Sequence, residues 1–143
     1  MTDTGGWKLC ALPGLGVSFR YPAVTPAGAP VDLDDVRIHL QSRGTNEVYA
    51  EVSQHRGVSA SEFYERERGF AAERLGATLE PLEPTTFAGR PAWRYAFAFD
   101  GKRREFVLVE AGDRLYRVVH DPESSLSRAV AESVELVAGT AGV

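Results

Sequence analysis

The chain has 143 residues, of which 43% are hydrophobic and 25% charged, with a net charge of −4. That length suits one domain able to bury roughly two thirds of its unfolded surface, and the composition is that of a soluble globular protein. An acidic balance, with a sequence pI near 5.4, argues against general nucleic-acid binding, which needs excess cationic charge to displace counterions from phosphate.

Cys10 is the sole cysteine, so neither an internal disulfide nor a cysteine-based metal site is available. The opening "MTDTGGWKLCALPGLG" lacks the basic start and apolar stretch of a secretory signal, and Trp7 and Lys8 stand where a lipoprotein signal is apolar. No run approaches the roughly 18 apolar residues of a membrane span, so no membrane insertion is expected. With Met1 taken as the natural start, the expected compartment is the cytoplasm.

In chain order, "GVSFRYP" (16–22) alternates Val17, Phe19 and Tyr21 against Ser18 and Arg20 and predicts a strand stopped by Pro22. "AVTPAGAPVDLDD" (23–35) reads as a loop on its Pro, Gly and Asp content. "VRIHLQSR" and "VYAEVSQHR" follow, joined by "GTNE". Pairing Arg43 with Glu47 across Gly44-Thr45-Asn46 sets Leu40 against Ala50, Ile38 against Val52, His39 against Glu51 and Gln41 against Tyr49. One face is then apolar and the other polar, as a consistent register requires.

"SASEFYERERGFAAERLG" (59–76) predicts a helix. Ser59 and Glu62 form a capping-box pattern, Gly76 is placed to end it, and Phe63, Tyr64, Phe70, Ala71 and Leu75 share one face. Further on, Asp100-Gly101 is a two-residue hairpin signal, since both positions tolerate the positive φ of a type I′ turn. It pairs Phe99 with Lys102, Phe97 with Arg104, Tyr95 with Phe106 and Trp93 with Leu108. A third strand, "RLYRVVH" (114–120), completes a meander whose runs "FVLV" and "YRVV" do not alternate, as in strands covered on both faces. Asp121 as N-cap and Pro122 at the first helical position open a last helix, on which Leu126, Ala129, Val130, Val134 and Val137 recur at helical spacing.

The whole predicts one domain over 1–143 with an ordered core of about 16–137. The class is α+β, an α/β/α sandwich whose mostly antiparallel sheet of about six strands is flanked by helices near 60–75 and 122–137. "GVSFRYP" early, "SASEFYERERGFAAERL" in mid-chain and "TTFAGRPAWRYAF…YRVVHD" before a terminal helix resemble the PsbP-like family over residues 16 to 137. That family's α/β/α sandwich is shared by the extrinsic photosystem II subunit, bacterial lipoproteins and a nuclear import factor that binds Ran. Some bacterial relatives are small cytoplasmic chaperones for secreted effectors. The resemblance implies a fold and no catalytic constellation.

Candidate chemistry is sparse. The row Trp93, Tyr95, Phe97, Phe99 suits the core beneath a helix better than a base-stacking platform, and Lys102, Arg103 and Arg104 read as solvated turn residues. His39, His55 and His120 lack metal-ligand spacing, so no metal site and no cofactor is expected; His120 beside Asp121 reads as an end-of-strand filler. "GVSFR" is not a Gly-x-Ser-x-Gly elbow, and "LPGLG" (12–16) lacks the spacing of a phosphate loop.

Glu67 is the anomaly. A carboxylate in the middle of an apolar helix face must be paired, protonated or at a cleft edge. Arg74 lies on the same face and Arg94 or Arg117 could reach it from the sheet, so a shielded salt bridge is expected. The leading functional expectation is a non-enzymatic protein-interaction or chaperone-like module with a protein partner or a homodimeric mate. The alternative is a small-molecule binder with a pocket between the sheet and helix 60–75, contacted by Glu67, Arg94, Tyr64 and Arg117. An enzyme whose residues converge only in space is the third.

Overall fold

The computed structural model describes residues 7–34, 39–44 and 47–136. In chain order the elements are β1 (Lys8–Leu12), β2 (Val17–Tyr21), β3 (Val31–Asp34), β4 (His39–Ser42), β5 (Tyr49–Arg56), α1 (Ala60–Phe70), a π-helical turn (Ala71–Leu75), β6 (Glu83–Phe87), β7 (Arg90–Phe99), β8 (Lys102–Ala111), β9 (Arg114–His120), α2 (Ser125–Glu132) and β10 (Glu135–Leu136). Seven strands form one antiparallel sheet in the order β3-β4-β5-β9-β8-β7-β6, and β1-β2-β10 form a second, three-stranded sheet. The α+β, largely antiparallel class matches the sequence. The strand number does not, and four strands that the sequence reading passed over explain the excess.

Those four were hidden for separate reasons. β1 shows no apolar–polar alternation, since the apolar Leu9 and Ala11 point outward while Cys10 faces the core opposite Phe19. β3 lies inside the Pro/Gly/Asp stretch read as a loop, an edge strand held to β4 partly by the Arg43–Asp32 pair at 2.6 Å. β6 folds back on β7 through Ala88-Gly89, both at positive φ (53° and 74°). An alanine there conceals a turn that Asn or Asp would have announced. β10 replaces the expected end of the last helix and pairs with β2; Val137 lies outside the described residues.

Where turn chemistry is explicit, register follows. Asp100 and Gly101 take φ of 55° and 76°, and β7 pairs with β8 as read: Phe99 with Lys102, Phe97 with Arg104, Tyr95 with Phe106, Trp93 with Leu108. β4 and β5 pair His39 with Glu51, Leu40 with Ala50 and Gln41 with Tyr49. The expected Ile38–Val52 pair and the Thr45-Asn46 part of the loop lie outside the described residues. Phe106, Val107, Leu108 and Val109 are all buried, because both faces of the sheet's centre are covered.

Each face has its own apolar cluster. Under α1, Ala60, Tyr64 and Ala71 pack with Tyr95, Phe106, Leu108, Leu115 and Val119. On the other face, Val130 and Ala131 of α2 and Cys10, Val17 and Phe19 of the small sheet pack with Leu40, Val52, Val109 and Val118. This second layer is thus a helix plus a three-stranded sheet, not a helix alone.

Helix α1 begins on the predicted capping box, Ser59 Oγ accepting from Glu62 N while Glu62 reaches back to Ser59 N. It ends through the π-helical turn at Gly76, whose φ of 62° a residue with Cβ adopts only under strain. Helix α2 departs from expectation: its N-cap is Ser124, with Oγ accepting from Ser127 N at 3.0 Å. Asp121 closes the turn before it, its carboxylate accepting from Glu123 N at 2.9 Å, and Pro122 lies in that turn.

Candidate functional site

The buried stripe of α1 runs through Ala60, Tyr64, Glu67 and Ala71, at i, i+4, i+7 and i+11. Glu67 therefore meets the sheet, and Phe63 and Phe70 lie at the margin. Phe63 is half-buried, and Phe70, expected on the apolar face, is 50% exposed. Glu67 accepts from Arg117 Nη1 at 3.0 Å and from the Tyr95 hydroxyl at 3.3 Å, and the two charged side chains keep 18% and 20% of their exposure. The Arg117 guanidinium also lies over the Phe106 ring at 5.5 Å and the Phe63 ring at 5.8 Å. Glu67 and Arg117 thus form the salt bridge that the helix pattern predicts.

Tyr64 and Arg94, the other expected contacts, go elsewhere. The Tyr64 hydroxyl donates to Glu80 O at 2.8 Å, and its ring meets Tyr95 edge-on at 5.2 Å. Arg94 cannot belong to a pocket under α1, because side chains alternate along β7 and Tyr95 already faces α1. It bonds Glu83 at 3.1 Å and Glu105 at 3.3 Å on the opposite face. Arg74 lies over Phe70, 5.9 Å from the ring centroid.

A polar strip that the sequence reading missed continues from Arg117 toward the β4 edge. Tyr49 donates to the Glu51 carboxylate, Arg104 stacks over the Tyr49 ring at 4.1 Å, and Arg104 reaches Asp121 at 3.5 Å. Burial is the main reason the Tyr49 hydroxyl titrates above its ordinary range, with the bond to Glu51 adding to it. The available signal was strand parity: Tyr49 and Glu51 share a face, and His39 opposite Glu51 lies edge-on to Tyr49 at 5.2 Å.

The aromatic row of β7 is core only in part. Tyr95 is buried and stacks on Phe106, as the half-buried Phe97 does from the other side. Trp93 and Phe99, at the two ends, remain 38% and 49% exposed. The basic turn is less solvated than expected, since Arg103 grips both oxygens of Glu80 at 3.0 Å and Arg104 is committed to Tyr49 and Asp121.

His120 is buried, facing α2, with Nε2 3.9 Å from Glu105 and Nδ1 without a hydrogen-bond partner. Burial lowers its pKa below the ordinary imidazole value, with Glu105 opposing. Among the described residues no cluster of three or more His, Cys, Asp or Glu side chains is placed to hold a metal ion. No helix of the described residues is long and apolar enough to cross a membrane.

No family model matches the chain, and no curated protein matches it either. Among solved structures it is similar to the solution structure of cyanobacterial PsbP (CyanoP) from Synechocystis sp. PCC 6803. The identity is 13%, with a TM-score of 0.58 over 91% of this chain and 92% of that one. The chain has a PsbP-like fold.

Proposed function

We propose that the chain is a protein-interaction module, chaperone-like and without chemistry of its own, that holds a partner polypeptide against the aromatic row of β7. The observation that carries this reading is the exposure of Trp93 and Phe99 at either end of a row anchored in the core by Tyr95. Large aromatic rings left at the surface lose their hydrophobic stabilisation, and rigid rings of this kind anchor interfaces at low entropic cost. Phe70, 50% exposed on α1, adds a third such ring. The other chemistry of this layer is spent internally: Glu67 on Arg117 and Tyr95, Tyr64 on Glu80.

The test is native mass spectrometry of the protein purified gently from its own host, beside a variant carrying Trp93→Ser and Phe99→Ser. A second polypeptide at fixed stoichiometry with the unaltered chain, absent from the variant, is the expected result. Two copies of this chain, dissociated by the same substitutions, would make the partner a second molecule of itself. A bare chain in both preparations would overturn the proposal.

A further inference from the structure

On the face of the sheet opposite α1, a cleft of about 190 Å³ opens between the edge strand β6 and α2. A volume near six waters at ~30 Å³ each takes a molecule of roughly six to ten non-hydrogen atoms, below the ~300–1,000 Å³ of drug-sized pockets. Phe87, Val107 and Ala131 give it an apolar lining, and Thr85 adds a hydroxyl. His120 and Glu105 belong to its wall, and burial disfavours the cation of the imidazole.

The charges around this cleft fall into two kinds. Arg94 and Glu105 neutralise each other, and Arg94 also holds Glu83. Arg128 and Glu132 do not take part. Arg128 donates to the Pro122 carbonyl at 2.6 Å, and neither it nor Glu132 is in an ion pair among the described residues. They stand four residues apart on α2 and both line the cleft. Arg preceding Glu at this spacing is the weaker order for a helix pair. One cation and one carboxylate thus border the same small space without satisfying each other.

We propose that this cleft binds a small zwitterion, a free α-amino acid, with its carboxylate on Arg128, its ammonium on Glu132 and a small side chain against Phe87, Val107 and Ala131. Arg128 and Glu132 are both solvent-exposed and neither needs a partner, but two opposite charges bordering one small space favour a ligand that carries both over one that carries either. The site lies across the sheet from Tyr95 and Phe97 and is independent of the aromatic row.

Amide chemical shifts of the ¹⁵N-labelled protein, titrated with L-alanine and L-valine and separately with propionate and ethylamine, test this. Saturable shifts confined to Thr85, His120, Arg128, Ala131 and Glu132 are expected with the amino acids, and binding of the singly charged analogues weaker by about tenfold or more. Arg128→Gln and Glu132→Gln, both surface changes, each weaken amino-acid binding by a similar factor while the rest of the spectrum is unmoved. Trp93→Ser leaves it unchanged. Absence of saturable shifts, equal binding of either analogue, or variants that bind like the unaltered chain would each overturn the assignment.

Discussion

Arg117 on β9 and Glu67 on α1 meet at 3.0 Å with about four fifths of each side chain shielded from water. The contact ties a helix to the centre of the sheet at the one polar position of the helix's buried stripe. Its surroundings make it more than a surface pair: the Tyr95 hydroxyl bonds the same Glu67 oxygen, and Phe63 and Phe106 flank the guanidinium. Shielding of this kind raises both the attraction and the cost of leaving either charge alone. The Nε of Arg117 is buried without a partner, so the pair is held by one guanidinium nitrogen and not by a fork.

A double-mutant cycle measures what that contact contributes. Glu67→Gln and Arg117→Met are each expected to destabilise the fold by about 1–3 kcal/mol in urea, below the cost of breaking a fully buried pair because a fifth of each side chain stays wet. The double variant should lose clearly less than the sum, since neither charge is then stranded. Additive losses would mean that the two side chains act separately.

The aromatic row makes a graded prediction within one strand. Tyr95, fully buried and stacked, should cost about 3–5 kcal/mol on truncation to Ala, whereas Phe99→Ala should cost less than about 1 kcal/mol. Urea midpoints of the two variants decide this. A Phe99→Ala loss comparable to that of Tyr95→Ala would place Phe99 in the core and remove the support for an interaction surface there.

What the sequence revealed and concealed follows from the residues at each turn and each face. Asp100-Gly101 declares its positive φ and so fixed seven pairs of β7 with β8; Ala88-Gly89 makes the same geometry with an alanine, so β6 went unread. Helix periodicity located Glu67 and predicted an arginine partner, because a buried carboxylate has few alternatives. It could not say which face of β7 carries Arg94, although strand parity with Tyr95 contained that answer. The cleft beside α2 was illegible: Thr85, Arg94, His120 and Arg128 come from β6, β7, β9 and α2, and no local pattern brings them together.

The start of α2 offers another test of a reading that the structure revised. Ser124 Oγ accepts from Ser127 N and donates to Glu47 O, joining the helix cap to the segment before β5. Ser124→Ala should therefore cost about 1–2 kcal/mol, through the lost cap and the lost bond to the Glu47 carbonyl, which keeps only the longer bond from Ser127 Oγ at 3.4 Å. Arg104 and Asp121 are as shielded as Arg117 and Glu67, so Asp121→Ala should cost about 1–3 kcal/mol through the stranded cation and the lost turn bond. In an Arg104→Met background Asp121→Ala should cost less than Ser124→Ala, and the reverse order of urea midpoints there would restore Asp121 as the helix cap.

Acid should weaken the fold through its buried histidine. Burial, the largest influence, pushes the His120 pKa below the ordinary 6.5; Arg128 acts in the same direction, while Glu105, Asp121 and Glu132 oppose. The unfolded chain then binds a proton in a range where the folded chain does not, so stability rises with pH across that range. The contribution is fully present above about 6.5 and is lost as pH falls from there toward the folded pKa, below which it levels off. His55 shifts the same way, first by burial and then by Arg117, but it is half-exposed and its share is smaller. Urea midpoints measured downward from neutral pH should decline in the unaltered protein. The decline should flatten most in His120→Gln and only slightly in His55→Gln. An unchanged slope in His120→Gln would show that the imidazole titrates alike in the folded and unfolded chain, with Glu105 offsetting burial.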